Sequence, residues 1–164
     1  LGTGVGGGLI NSGKLFLGHH GVAMEIGHMI VEPNGRQCGC GNKGCMEQYA
    51  SATGVAKSYF QATKKQRTAL EIAQLAHEGD AMAIKSYELA AKVLAQTLAN
   101  IIKVLDVKNI VIGGGLIGAW PLMQKMFKQG FEADLIPILR GDIKVKTSTA
   151  EDRAGMLGAA MLNI

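Results

Sequence analysis

The chain has 164 residues, 48% of them hydrophobic and 18% charged, with 23 glycines and 3 prolines; this is the composition of one globular domain with a buried core and excludes a disordered chain. The net charge of +4 comes from 17 basic and 13 acidic residues scattered along predicted helices and turns, which argues against a nucleic-acid-binding face. No stretch reads as a signal peptide or membrane span, and three cysteines within eight positions do not make a secreted disulfide framework, so a cytoplasmic protein with no membrane partner is expected.

The first element is glycine-rich, "LGTGVGGGLINSGKL". Gly2, Gly4 and Gly7 satisfy the dinucleotide pattern G-x-G-x-x-G, and Gly8 to Lys14 satisfies most of a P-loop, with Leu15 where Ser or Thr would hold magnesium. Both motifs require a helix immediately afterwards, whose N-terminus binds phosphate. Here Gly8-Leu9-Ile10, the turn cluster Asn11-Ser12-Gly13 and Lys14-Leu15-Phe16-Leu17 predict strand, tight turn and strand. On the glycines alone, two readings stand. One is a hairpin whose bare backbone N–H groups cradle an anion; the other is an edge hairpin without a ligand.

Residues 28–32 predict a short strand, and Pro33-Asn34-Gly35 opens an irregular loop to about residue 45. Helical periodicity starts at Met46 or Ser51 and runs to about Thr63, a second helix covers 68–77, and a long helix follows Gly79-Asp80 and ends near Asp106. Its apolar positions span a broad face, which predicts a central helix. "NIVIGGGLIGAW" reads as a buried strand, a glycine turn and a helix start; "DIKVKTS" reads as a further strand. Thr149 and Asp152 suit a cap for the last helix, "RAGMLGAAML", whose small residues would pack closely on a neighbour. The order predicts an α/β layered domain with a mixed sheet.

The sharpest chemical signal is "GHMIVEPNGRQCGCGNKGC". His28, Cys38, Cys40 and Cys45 form a complete Cys₃His set for tetrahedral zinc, and a filled set is structural rather than catalytic. The competing reading is three free thiols beside an ordinary histidine. Glu25 and Glu47 flank the ligands, and carboxylates suit the hydroxyl pairs of a sugar. His28 could bind the metal through one ring nitrogen and donate from the other. Taken alone, the two glutamates are more commonly surface ion-pair partners, and Gly113-Gly114-Gly115 is more commonly an ordinary strand-to-helix turn.

Together, "LGTGVGGGLI", "EIGH", "CGCGNKGCME", "IVIGGG" and "AGMLGAAM" resemble, in order and over nearly the whole chain, the ROK family of sugar kinases and regulators. The resemblance implies the C-terminal lobe of an actin-like ATPase (ribonuclease H-like) fold over residues 1–164: a mixed sheet, flanking helices and a zinc loop at about 28–45. It implies that Gly2, Thr3 and Gly4 approach the ATP phosphates and that Gly113, Gly114 and Gly115 form the adenosine turn. Glu25, His28 and Glu47 match the family's sugar-binding positions, and His28, Cys38, Cys40 and Cys45 match its ligands for a structural Zn²⁺. Met24 stands where the family usually has glycine.

The family's general base is an aspartate upstream of the glycine hairpin, so the resemblance places no catalytic residue in this chain. The catalytic-base segment and the N-terminal lobe are expected upstream. The full-length protein is then expected to be an ATP- and Mg²⁺-dependent kinase of a hexose or N-acetylhexosamine, with the isolated chain inactive. Such proteins are often homodimers. The alternative is a sugar-responsive transcriptional repressor of the same family, with nucleic acid as a partner through an upstream helix-turn-helix.

Overall fold

The computed structural model describes residues 1–150 and 153–161. Strands β1 (Ile10–Asn11) and β2 (Lys14–Leu15) pair antiparallel in the predicted hairpin. The turn is the two residues Ser12-Gly13, both at positive φ (52° and 77°), the mirror-image turn that matches the twist of paired strands. The chain then folds through a 3₁₀ turn at Ile26–His28 and the cysteine loop into helices α1 (Glu47–Ala50), α2 (Ala52–Thr63), α3 (Ala69–His77) and α4 (Ala81–Leu105). Strand β3 (Asn109–Ile112), a 3₁₀ segment at Gly115–Ala119, helix α5 (Trp120–Asp134), strand β4 (Lys144–Thr147) and helix α6 (Ala154–Met161) complete it. β3 and β4 pair in parallel.

The helix boundaries follow local chemistry. The Thr68 hydroxyl accepts from Glu71 N while the Glu71 carboxylate accepts from Thr68 N, a reciprocal cap that starts α3. The Asp80 carboxylate accepts from Met82 N and Ala83 N, both at 2.8 Å, and starts α4. α2 and α4 end on residues in the left-handed region, Lys64 and Asp106. α4 is the centre of the core: α1, α2, α3 and α5 all pack on it, and Tyr87, Leu94 and Ile102 are buried along its length. Gly130 of α5 sits against Ala95 of α4, and Phe127 and Phe131 stack at 5.4 Å on the same helix, α5. The Tyr87 hydroxyl donates to Ala69 O, tying α4 to α3.

Three expectations change. Residues 28–32 are not a strand: His28 closes the 3₁₀ turn, and only Ile30 forms a bridge, antiparallel to Cys45. Val31 N and Glu32 N both donate to Gly44 O, so the local backbone bonds close the cysteine loop instead of extending a ladder. Both senses of strand pairing occur, but among the described residues they lie in two separate two-stranded sheets. An apolar groove of about 440 Å³ runs between them, walled by Gly6–Ile10 and Asn109–Gly113 and floored by Leu94, Leu98 and Ile101 of α4. Finally, no residue of α6 is buried; Asp152, its expected cap, lies outside the described residues.

Candidate metal centre and glycine-rich cleft

The cysteine loop is a double-backed strap. Gly44 N donates to Arg36 O and Cys38 N to Asn42 O, while Met46 N donates to Met29 O. Gly44 has φ +79°, and a Cβ there would run into Glu32 O, so only glycine suits the point where the strap folds back. This folding brings the side chains of His28, Cys38, Cys40 and Cys45 together, with all four ligand atoms within 4.8 Å of one another. Cys38 Sγ is 3.6 Å from His28 Nδ1, and Cys40 Sγ is 3.6 Å from Cys45 Sγ. Ligands of a tetrahedral zinc lie about 3.5–3.8 Å apart, from bond lengths of about 2.0–2.3 Å. The donor set fits zinc, and these two pairs stand at that spacing.

The protein environment differs among the thiols. The backbone N–H of Cys40 bonds to Cys38 Sγ and is the largest influence bringing the Cys38 thiol down to about 7. Cys45 is fully buried, and burial pushes its thiol up to about 12. A metal therefore displaces a proton from Cys45 at neutral pH.

The predicted sugar-binding residues flank this cluster. His28 presents Nδ1 to the sulfurs, while its Nε2 lies 3.9 Å from Glu25 Oε2 on the exposed side. Glu47 is the first residue of α1, two positions after Cys45. Its Oε2 accepts from Val5 N at 2.9 Å, and the carboxylate lies so close to Gly4 that a Cβ there would collide with it. Met24, just before Glu25, keeps a left-handed backbone (φ 69°) even though it is not glycine; its side chain is partly buried against the core. The backbone entering the E-I-G-H run thus has the conformation glycine favours, and the methionine lines the groove beside it.

The two predicted nucleotide segments meet. The Leu1 amino nitrogen donates to Gly113 O at 2.6 Å, and Leu116 N donates to Leu1 O at 3.1 Å, across more than one hundred residues of sequence. Gly2 O accepts from Ala52 N and Thr3 O from the Thr53 hydroxyl, which fastens the glycine run to the start of α2. Direct contacts thus bring Leu1 to Gly113–Leu116 and Gly4–Val5 to Glu47, the first residue of α1.

Sequence reasoning missed Arg36. Its guanidinium is half-buried, stacks 4.4 Å over the Tyr49 ring and donates to Gln48 O, Gly54 O, Ser58 Oγ and Gln61 Oε1. Its acceptors lie 12 to 25 positions downstream, so no local pattern marks it.

The chain belongs to the ROK family, which it matches over residues 1–164. Its relatives are glucokinases and N-acetyl-D-glucosamine kinases; the N-acetyl-D-glucosamine kinase of Shigella boydii is 36% identical over all of this chain and 57% of its own length. The crystal structure of a ROK family glucokinase from Streptomyces griseus, in complex with glucose and AMPPNP, superposes with a TM-score of 0.87 at 32% identity, over 99% of this chain and 58% of that one. A ROK family transcriptional regulator, a homologue of the E. coli MLC protein, superposes at 0.77 with 26% identity, over 90% of this chain and 40% of its own. The α/β fold is that of ROK sugar-kinase structures, the actin-like ATPase fold. The chain spans a little over half the length of the curated relatives it matches.

Proposed function

We propose that residues 1–164 are the C-terminal lobe of a cytoplasmic, ATP-dependent sugar kinase that phosphorylates a hydroxyl of a hexose or N-acetylhexosamine. The observation that carries this reading is the contact of Glu47 with Val5 N beside Gly4, which sets a sugar-type carboxylate against the glycine run. One Glu47 oxygen is occupied by that backbone donor, and the other stays available to a hydroxyl.

In this reading Glu25 and Glu47 accept hydrogen bonds from sugar hydroxyls. His28 donates from Nε2, since its Nδ1 faces the sulfurs. His28, Cys38, Cys40 and Cys45 hold a structural Zn²⁺ that fixes the angle between these groups. Gly2, Thr3 and Gly4 lie beside the phosphates, with the Gly2 N–H held by Gly4 O and those of Thr3 and Gly4 left to donate, and Gly113–Gly115 border the adenosine. Mg²⁺ supplies charge neutralisation on the phosphates when bound. Positioning and electrostatic stabilisation do most of the work, and closure of a second lobe excludes water. In this reading the proton of the attacking hydroxyl passes to an aspartate of the N-terminal lobe.

A coupled ADP-release assay on the full-length protein tests this, with ATP–Mg²⁺ and glucose, N-acetylglucosamine, N-acetylmannosamine or fructose. Turnover by the full-length protein, with none by residues 1–164 alone, is expected and names the sugar. The structural match to a transcriptional regulator favours one second reading, a sugar-responsive repressor. No turnover with any sugar, together with DNA binding that a sugar relieves, would replace the kinase by the repressor.

A further inference from the structure

Cys38 has a neighbour that neither the metal set nor the sugar site uses. Gln48 Nε2 lies 3.5 Å from Cys38 Sγ, and Gln48 Oε1 lies 2.5 Å from Lys57 Nζ on α2. An ammonium only donates, so the amide oxygen must face Lys57 and the NH₂ must face the sulfur. Gln48 is 8% exposed, so water does not take over either role. Its backbone is held as firmly: Gln48 N donates to Cys45 O at 3.0 Å, and Gln48 O accepts from Arg36 Nη1 at 2.6 Å.

We propose that Gln48 and Lys57 are positioning residues for the metal centre, with Gln48 aiming Cys38 Sγ at the ion and Lys57 locking the amide in the donating orientation. The inference rests on the structural-zinc reading above. Three thiolates around a divalent ion leave one net negative charge, and a hydrogen bond to sulfur with an ammonium behind it offsets that charge. Because Gln48 directly follows Glu47, a single turn of α1 carries both the carboxylate against the glycine run and the donor to the metal ligand.

The test uses this chain, which contains every residue involved. Zinc affinity is measured by competition with a chromophoric chelator, and Co²⁺ replaces zinc to report the thiolate-to-metal charge-transfer band. Gln48→Leu keeps the volume and removes the donor. It is expected to weaken zinc about tenfold, in the range that outer hydrogen-bond partners of metal ligands show, and to move the Co²⁺ band to longer wavelength, because a sulfur without its hydrogen bond gives up charge more easily. Lys57→Met, an exposed change that leaves the core intact, is expected to weaken zinc severalfold. Lys57→Arg restores the donor and the affinity, and Lys92→Met, a remote exposed lysine of α4, changes neither readout. If Lys57→Met and Gln48→Leu both bind zinc as the unsubstituted chain does, with an unmoved Co²⁺ band, the positioning role is overturned while the metal centre stands. If the unsubstituted chain takes up neither ion, the metal centre itself fails and this inference with it.

Discussion

Arg36 is a cation set among neutral acceptors. Among the described residues it has no carboxylate within ion-pairing distance, and burial pulls its guanidinium below its ordinary value. What holds it is geometry: Nη1 reaches the carbonyls of Gln48 and Gly54, Nη2 reaches Ser58 and Gln61, and its own N–H donates to the Tyr49 hydroxyl. It thus pins the first arm of the cysteine loop to α1 and along α2 from Gly54 to Gln61. A lysine would keep the charge, but one ammonium cannot match the planar fork that serves four acceptors. We expect Arg36→Lys to cost about 1–3 kcal/mol, since buried acceptors lose their donor, and Arg36→Ala to cost more. Urea unfolding measures both; a Lys variant as stable as the unsubstituted chain would show that the fork geometry is dispensable.

At the scale of elements, the start of α4 was legible because a helix N-terminus is set by a local exchange of hydrogen bonds. Asp80 punctuates the sequence before a long apolar face, and its carboxylate does start α4. The backbone N–H of Ala83 is the main influence holding the Asp80 carboxyl below its ordinary value. A carboxyl depressed in the folded state stabilises above its unfolded pKa of about 3.9, and that stabilisation is lost as pH falls through the lower folded value. Asp80→Asn keeps an oxygen for the cap but has no proton to gain. Its urea midpoint is therefore expected to fall less steeply than that of the unsubstituted chain between about pH 4 and pH 2; parallel curves would exclude Asp80 from the acid response. The expected strand at 28–32 was less legible. Its apolar residues suit a strand, but the pull of His28 toward three cysteines, and the two donors to Gly44 O, are long-range constraints that periodicity does not register.

For the whole molecule, the His28 and cysteine cluster adjoins the hydrophobic core. The contiguous core is built on α4 with α1, α2, α3 and α5; the cysteines lie outside it, though Cys38 and Cys45 are buried. Binding free energy at a structural metal is folding free energy for the segment that holds the ligands. Chelation is therefore expected to raise hydrogen exchange across residues 28–47 and to leave α4 protected. Loss of protection that spread through α4 would mean that the core depends on the metal. Through Glu47, opening of this segment would also release the contact with Val5 that holds α1 against the glycine run.

The sequence by itself determined the histidine and cysteine set, the hairpin turn, the helices, and, through ordered motifs, the family. Those features are written within spans of about twenty residues, where spacing and side-chain chemistry decide the outcome. Only the tertiary structure decided that Leu1 meets Gly113 and Leu116, that β3 pairs with β4 across α5, that Arg36 binds four acceptors downstream, and that Gln48 stands between Lys57 and Cys38. These contacts join segments far apart in the chain, and packing around α4 settles them; no local propensity encodes which distant edge or carbonyl a group will find.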